Sequence, residues 1–203
     1  MTNSEIFTQK TGKKYLFNIA LIDNIDSIVR NGIMSYELTA GLPHISVALN
    51  SVQDRREHVQ IPHGYRLHQY ANLYFTFNNA MLYKRKDKAE DLCVLAIKCS
   101  VLDIDECVVT DRNAATDLVK FYPPEKGIEE IDFDRVYAQY WTHDDPYETK
   151  NHKAIKCAEV LVPNRIPYLY VAGAYVVSEE AKIKMINKGF DRKIVINKSV
   201  FYR

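Results

Sequence analysis

Residues Leu92–Lys98, LCVLAIK, are an unbroken apolar run closed by one charged residue. A run of that length without alternation is the pattern of a strand covered on both faces, so the chain is expected to be built around a central sheet. Working outward, 107–110 reads as a short second strand, and 72–77 (NLYFTF) as an aromatic-rich strand followed by a short helix over 80–86. Further upstream, 15–20 (YLFNIA) has strand length, and Asp23 stands where it can cap a short helix that ends before Gly32. Residues 36–62 hold Gly41, Pro43 and Pro62 around a polar patch, 51–57, expected to form one or two helical turns in a functional loop.

Downstream, 113–121 and 132–141 read as helices separated by Pro123, Pro124 and Gly127, and 143–156 as a polar stretch containing Pro146. It leads into a strand at 157–162. A strand near 168–171 follows, then a helix over Glu179–Asn187 capped by Ser178 and stopped around Gly189, and a last strand over Lys193–Ile196. This mixed order predicts an α+β fold, and a length of 203 residues predicts one domain, 1–203.

Apolar residues make up 47% and charged residues 26%, the balance of an ordinary globular chain. Lys plus Arg number 27 against 26 acidic residues, so no general field attracts a polyanion and any nucleic-acid contact has to come from a local patch. Cys93, Cys99, Cys107 and Cys157 form no CxxC pair, and the histidines show no HExxH spacing, so no metal site is expected. The start, MTNSEIFTQKTGKK, has no apolar core of signal-peptide length, and no stretch approaches the roughly 18 apolar residues of a membrane span; a cytoplasmic location without membrane partners is the expectation. GxGxxG, P-loop and GxSxG patterns are absent, which removes the usual dinucleotide, kinase and hydrolase signatures.

Glu159, in KCAEVLVP, is a carboxylate inside a strand-like run. It is either the solvent-facing half of an alternation or a fixed acceptor able to bond a sugar hydroxyl and stabilise positive charge at an anomeric carbon. Arg55 and Arg56, in SVQDRREHV, are either solvated surface or a clamp for a diphosphate or an acceptor base. Residues 67–83 (LHQYANLYFTFNNAMLY), with Tyr70, Tyr74, Phe75, Phe77 and Tyr83 beside Asn78 and Asn79, form either core or a pocket for flat rings. Asn18 is a polar residue within an apolar run and needs hydrogen bonds if it is buried. The basic runs 84–88 (KRKDK) and 150–153 (KNHK) are either solvated surface or backbone contacts for a polyanion.

Six blocks, in order, resemble the DarT family of DNA ADP-ribosyltransferase toxins: 15–33, 52–56, 67–83, 108–122, 131–142 and 156–163. The resemblance implies an ADP-ribosyltransferase-like fold, with two small sheets, flanking helices and a cleft for NAD+ as co-substrate, and no metal. It places the family's catalytic Glu on Glu159 and its catalytic Arg within Arg55–Arg56, with Arg55 favoured. It assigns Asn18, Ile19, Arg56, Tyr74, Phe75 and Met81 to NAD+, and Asn113, Lys150 and Lys153 to the acceptor. The family's NAD-binding strand usually has His where this chain has Asn18, which shortens the reach of that side chain and removes its chance of charge. The implied acceptor is a base of single-stranded DNA, guanine favoured over thymidine from ANLYF and HKAIKCAEVLVP. The implied partner is a cognate antitoxin of the ADP-ribosyl-glycohydrolase type. Rival expectations are a non-catalytic binder of NAD+ or nucleic acid and a transferase acting on RNA or protein.

Overall fold

LCVLAIK is a strand with six of its seven side chains buried, and each covered Leu, Ile or Val contributes about 1.5–3 kcal/mol relative to exposure. The structure is a computed structural model that describes residues 1–40 and 50–202, with backbone only at 50 and 51. Its strands are β1 (Tyr15–Leu21), β2 (Ile33–Met34), β3 (Tyr70–Tyr74), β4 (Leu92–Lys98), β5 (Val108–Thr110), β6 (Phe121–Tyr122), β7 (Glu159–Pro163), β8 (Arg165–Ile166), β9 (Val171–Val176) and β10 (Lys193–Ile196). Helices α1 (Asn3–Thr11), α2 (Ile25–Asn31), α3 (Tyr36–Thr39), α4 (Asn50–Glu57), α5 (Ala80–Tyr83), α6 (Pro124–Glu130), α7 (Phe133–Tyr137), α8 (Pro146–Ile155) and α9 (Glu179–Asn187) surround them.

The fold is α+β, as the element order predicts. In place of two small sheets there is one sheet in the order β10-β9-β4-β1-β3-β7-β5-β6, with a separate ribbon β2-β8. The join at its middle is slight: β1 pairs with β4 along its whole length, from Tyr15↔Lys98 to Leu21↔Leu92, but meets β3 only at Phe17↔Tyr74. The sheet is therefore two halves linked at one bridge, and beyond that bridge the strands diverge. Gly32, at φ +81°, sits where a Cβ would lie 2.3 Å from the Ile166 carbonyl oxygen, so a side chain there is barred by both conformation and space. That glycine lets the β2-β8 ribbon close beside the gap.

Several expected elements shift. Residues 113–121 are not helical: the Ala115 amide donates to Asn113 Oδ1 and the Thr116 hydroxyl to the Asn113 carbonyl, local bonds that compete with the helical ladder. The helix expected over 132–141 stops at Tyr137, and the polar stretch 143–156 contains α8, with Asp145 capping it and Pro146 at its first turn. Asp23 does not cap α2 but lies in a single tight turn before it. The strand expected near 168–171 begins at Val171. In the loop of 36–62, the polar patch is α4, and positions 41–49 lie outside the described residues. No described helix is long and apolar enough to cross a membrane.

Candidate active site

A cavity of about 400 Å³ opens where β1 and β3 diverge, with Asn18 and Ile19 on one lip and Asn72 and Tyr74 on the other. Asn18 spans the gap, its Nδ2 donating to the Asn72 carbonyl at 3.2 Å. The amide thereby does what a backbone pair would do if the strands had stayed together, and it satisfies the polar residue of YLFNIA.

Glu159 begins β7, directly across from Tyr74, and is fully buried. Its backbone amide donates to Thr110 Oγ1 at 2.9 Å, and that hydroxyl donates to the Arg112 carbonyl at 2.6 Å. The carboxylate is held from two sides. Arg56 Nη1, reaching down from α4, donates to both oxygens at 3.1 and 3.0 Å, and the Ala114 amide donates to Oε1 at 3.0 Å. Arg56 is itself only 8% exposed but lines the cavity, so the guanidinium stands between the carboxylate and the open space. A buried carboxylate is tolerated because an ion pair and a backbone donor replace its water. Beside it the Tyr74 phenol is held protonated far above its usual range, by burial first and by the Glu159 charge second.

The remaining walls follow from local signals. Asn79, fully buried, caps α5 by accepting from the Met81 and Leu82 amides and donates to the Thr76 carbonyl, which sets Met81 into the cavity wall. Cys157 also lines the cavity, with its thiol pushed up to about 11 by burial; at neutral pH it is an apolar wall and no nucleophile. His68 bonds Gln53 at 3.0 Å and packs 4.4 Å from Tyr36, both cavity residues. Burial and then the nearby Arg56 charge pull its imidazole below the usual range. Arg55, Lys84, Arg85 and Lys153 bring positive charge to the same cavity. Among the described residues no group of three or more His, Cys, Asp or Glu is placed to hold a metal.

A family model described as "ssDNA thymidine ADP-ribosyltransferase, DarT" matches residues 17–202. The chain belongs to the DarT family. Its relatives include a "DNA ADP-ribosyl transferase-DNA ADP-ribosyl glycohydrolase fusion protein" of Thermosipho africanus, 30% identical over 81% of this chain. The chain spans only 43% of that relative's length. The fold is shared with Thermus sp. 2.9 DarT in complex with ADP-ribosylated ssDNA, at TM-score 0.80 and 23% identity over 93% of this chain and 96% of that one. It is likewise shared with Thermus sp. 2.9 DarT in complex with NAD+, at TM-score 0.76 and 21% identity over 93% and 98% of the two chains.

Within this DarT fold the residues singled out in the sequence are only partly brought together. Asn18, Ile19, Arg55, Arg56, Tyr74, Met81, Asn113 and Lys153 all line the cavity, and Glu159 lies just behind it. Of the two arginines it is Arg56, not the favoured Arg55, that clasps the carboxylate. Phe75 is not at the cavity: its ring is fully buried against Phe7 and Phe133, because its neighbour Tyr74 takes the opposite face of the strand. Lys150 is exposed on α8 and outside the lining. Thr110 and the Ala114 amide, which hold Glu159, carry no signal in the sequence, since only the pairing of β5 with β7 brings them there.

Proposed function

We propose that this chain takes ADP-ribose from NAD+ and attaches it to a base of single-stranded DNA, with Glu159 and Arg56 at the reacting centre. The observation that carries the reading is a fully buried carboxylate clasped by an arginine at the split of the sheet, in a chain matched by the DarT family along nearly its whole length. The cavity suits the donor. Its volume, about 400 Å³, lies within the roughly 300–1,000 Å³ of small-molecule sites. Tyr74 and Met81 offer faces for a flat ring, and Arg55, Arg56 and Lys84 offer charge to a diphosphate.

In this reading the bond between nicotinamide and the ribose anomeric carbon breaks, nicotinamide leaves, and a base nitrogen forms the new bond and loses its proton. Glu159 accepts from a ribose hydroxyl and stabilises the positive charge developing on the sugar. Arg56 covers the carboxylate, so the hydroxyl reaches Glu159 only as the guanidinium gives up one of its two contacts. An unpaired base reaches the ribose without the few kcal/mol that unstacking it from a duplex costs.

The base proposed is thymidine, the one in the description of the family model; guanine, favoured by ANLYF and HKAIKCAEVLVP, is the second reading. The biological role proposed is that of a toxin reversed by a glycohydrolase-type antitoxin, supported by the fusion of those two named activities in the Thermosipho relative. The test is to incubate the protein with NAD+ and oligonucleotides each containing one reactive base type, and to weigh the products. An adduct on the thymidine strand bears the proposal out, and one on guanine alone moves the base. Modification of RNA or protein only, or of nothing while NAD+ still binds, overturns it.

A further inference from the structure

Lys156 is fully buried, yet among the described residues no carboxylate pairs with it. Its ammonium donates to the Val136 carbonyl at 2.8 Å and to the Ala138 carbonyl at 2.6 Å, and lies 5.8 Å from the centre of the Trp141 ring. Asn78 holds the next residue, its Nδ2 donating to the Gln139 carbonyl at 3.1 Å, and is itself bonded by the Tyr202 hydroxyl. Trp141, 8% exposed, is enclosed edge-on by Tyr83 at 6.2 Å and Tyr202 at 6.0 Å. Residues 138, 139 and 141 are thus each fixed to the body of the protein. Tyr140, between them, is 72% exposed.

An ammonium withdrawn from water without a counter-charge is a net cost to stability, and burial pulls Lys156 down to about 8. What the arrangement gains is geometry: a short segment outside regular secondary structure, held at several points, with one large ring left in solvent. The segment also adjoins the cavity. Tyr83, which packs on Trp141, ends α5, and Ala80, Met81 and the following Lys84 and Arg85 all line the opening. Lys86 stands 5.4 Å over the Tyr83 ring, so cationic and aromatic groups lie side by side at this rim, the composition that holds a single strand by its phosphates and its base faces.

We propose that residues 138–141 are a preorganised stacking platform, in which Lys156 and Asn78 fix the backbone so that the Tyr140 ring receives a base of the DNA strand flanking the one modified. This rests on the proposed function and adds to it a specific subsite. Tyr140 is a binding residue and Lys156 a positioning residue.

The test uses the whole chain, NAD+ and a single-stranded oligonucleotide that the wild type modifies, with NAD+ binding followed separately by calorimetry. Tyr140→Ala is expected to raise the oligonucleotide KM by about 5- to 150-fold, the range for loss of one stacked base, with kcat and NAD+ affinity near wild type. Tyr140→Phe keeps the ring and is expected to stay within about twofold in KM. Lys156→Met is expected to raise the same KM without changing NAD+ affinity. An unchanged KM for Tyr140→Ala, or a Phe variant as impaired as Ala, overturns the platform. Loss of NAD+ binding in a folded Lys156→Met overturns the positioning role. Failure of the wild type to modify any oligonucleotide would instead sink the proposed function.

Discussion

Glu159→Gln keeps the size of the side chain and removes its charge. The expected loss in kcat for ADP-ribose transfer is at least about 100-fold, or roughly 2.7 kcal/mol of transition-state stabilisation, measured with the oligonucleotide that the wild type modifies. Stability separates the partners of the clasp. Arg56→Ala leaves a fully buried carboxylate without its counter-ion, and breaking such a pair from one side costs about 3–5 kcal/mol. Glu159→Gln leaves Arg56 a partly open route to the cavity. Urea unfolding should therefore rank Arg56→Ala well below Glu159→Gln, and equal midpoints would mean that the clasp does not form in solution. The carboxylate itself was legible in the sequence, as a charge within an apolar strand. Which of the adjacent arginines meets it was not, because one residue along a helix turns the side chain by about 100° and only the docking of α4 decides which of the two faces β7.

At the scale of elements, α5 is a single turn whose direction depends on its cap. Asn79→Ala removes the acceptor of the Met81 and Leu82 amides and the donor to Thr76. The expected cost is about 1–2 kcal/mol from the cap alone, with weaker NAD+ binding because Met81 moves with the helix. A thermal melt and a calorimetric titration would show both, and a full-affinity variant would remove α5 from the site. Elements with a strong one-dimensional signal were readable: the buried run of β4, and α9 between Ser178 and Gly189. Residues 113–121 misled because Asn113 and Thr116 satisfy the backbone locally, and β6 is a two-residue strand that exists only by pairing with β5.

Across the whole molecule, burial holds thiols protonated at Cys93 and Cys107, both pushed up to about 12, and at Cys157, up to about 11. Groups raised in this way lend stability that is fully present below the unfolded thiol value near pH 9 and is lost as pH rises through 11–12. Lys156, lowered to about 8, acts oppositely between pH 8 and its unfolded value near 10.4, but is one group against three. Under reducing conditions the urea midpoint should fall between about pH 9 and pH 11, and Cys157→Ser should flatten that fall. The sequence by itself determined the α+β class, the strands with continuous apolar runs and the family, and pointed to residue types for the candidate site, because these rest on local pattern and ordered blocks. Only the tertiary structure decided that the sheet divides at Phe17↔Tyr74, that Arg56 covers Glu159, that Phe75 turns into the core, and that Lys156 holds backbone carbonyls eighteen and twenty residues upstream. Those contacts join residues distant along the chain, and their geometry is set by how β1, β3, β7 and α4 pack together, which no window of sequence contains.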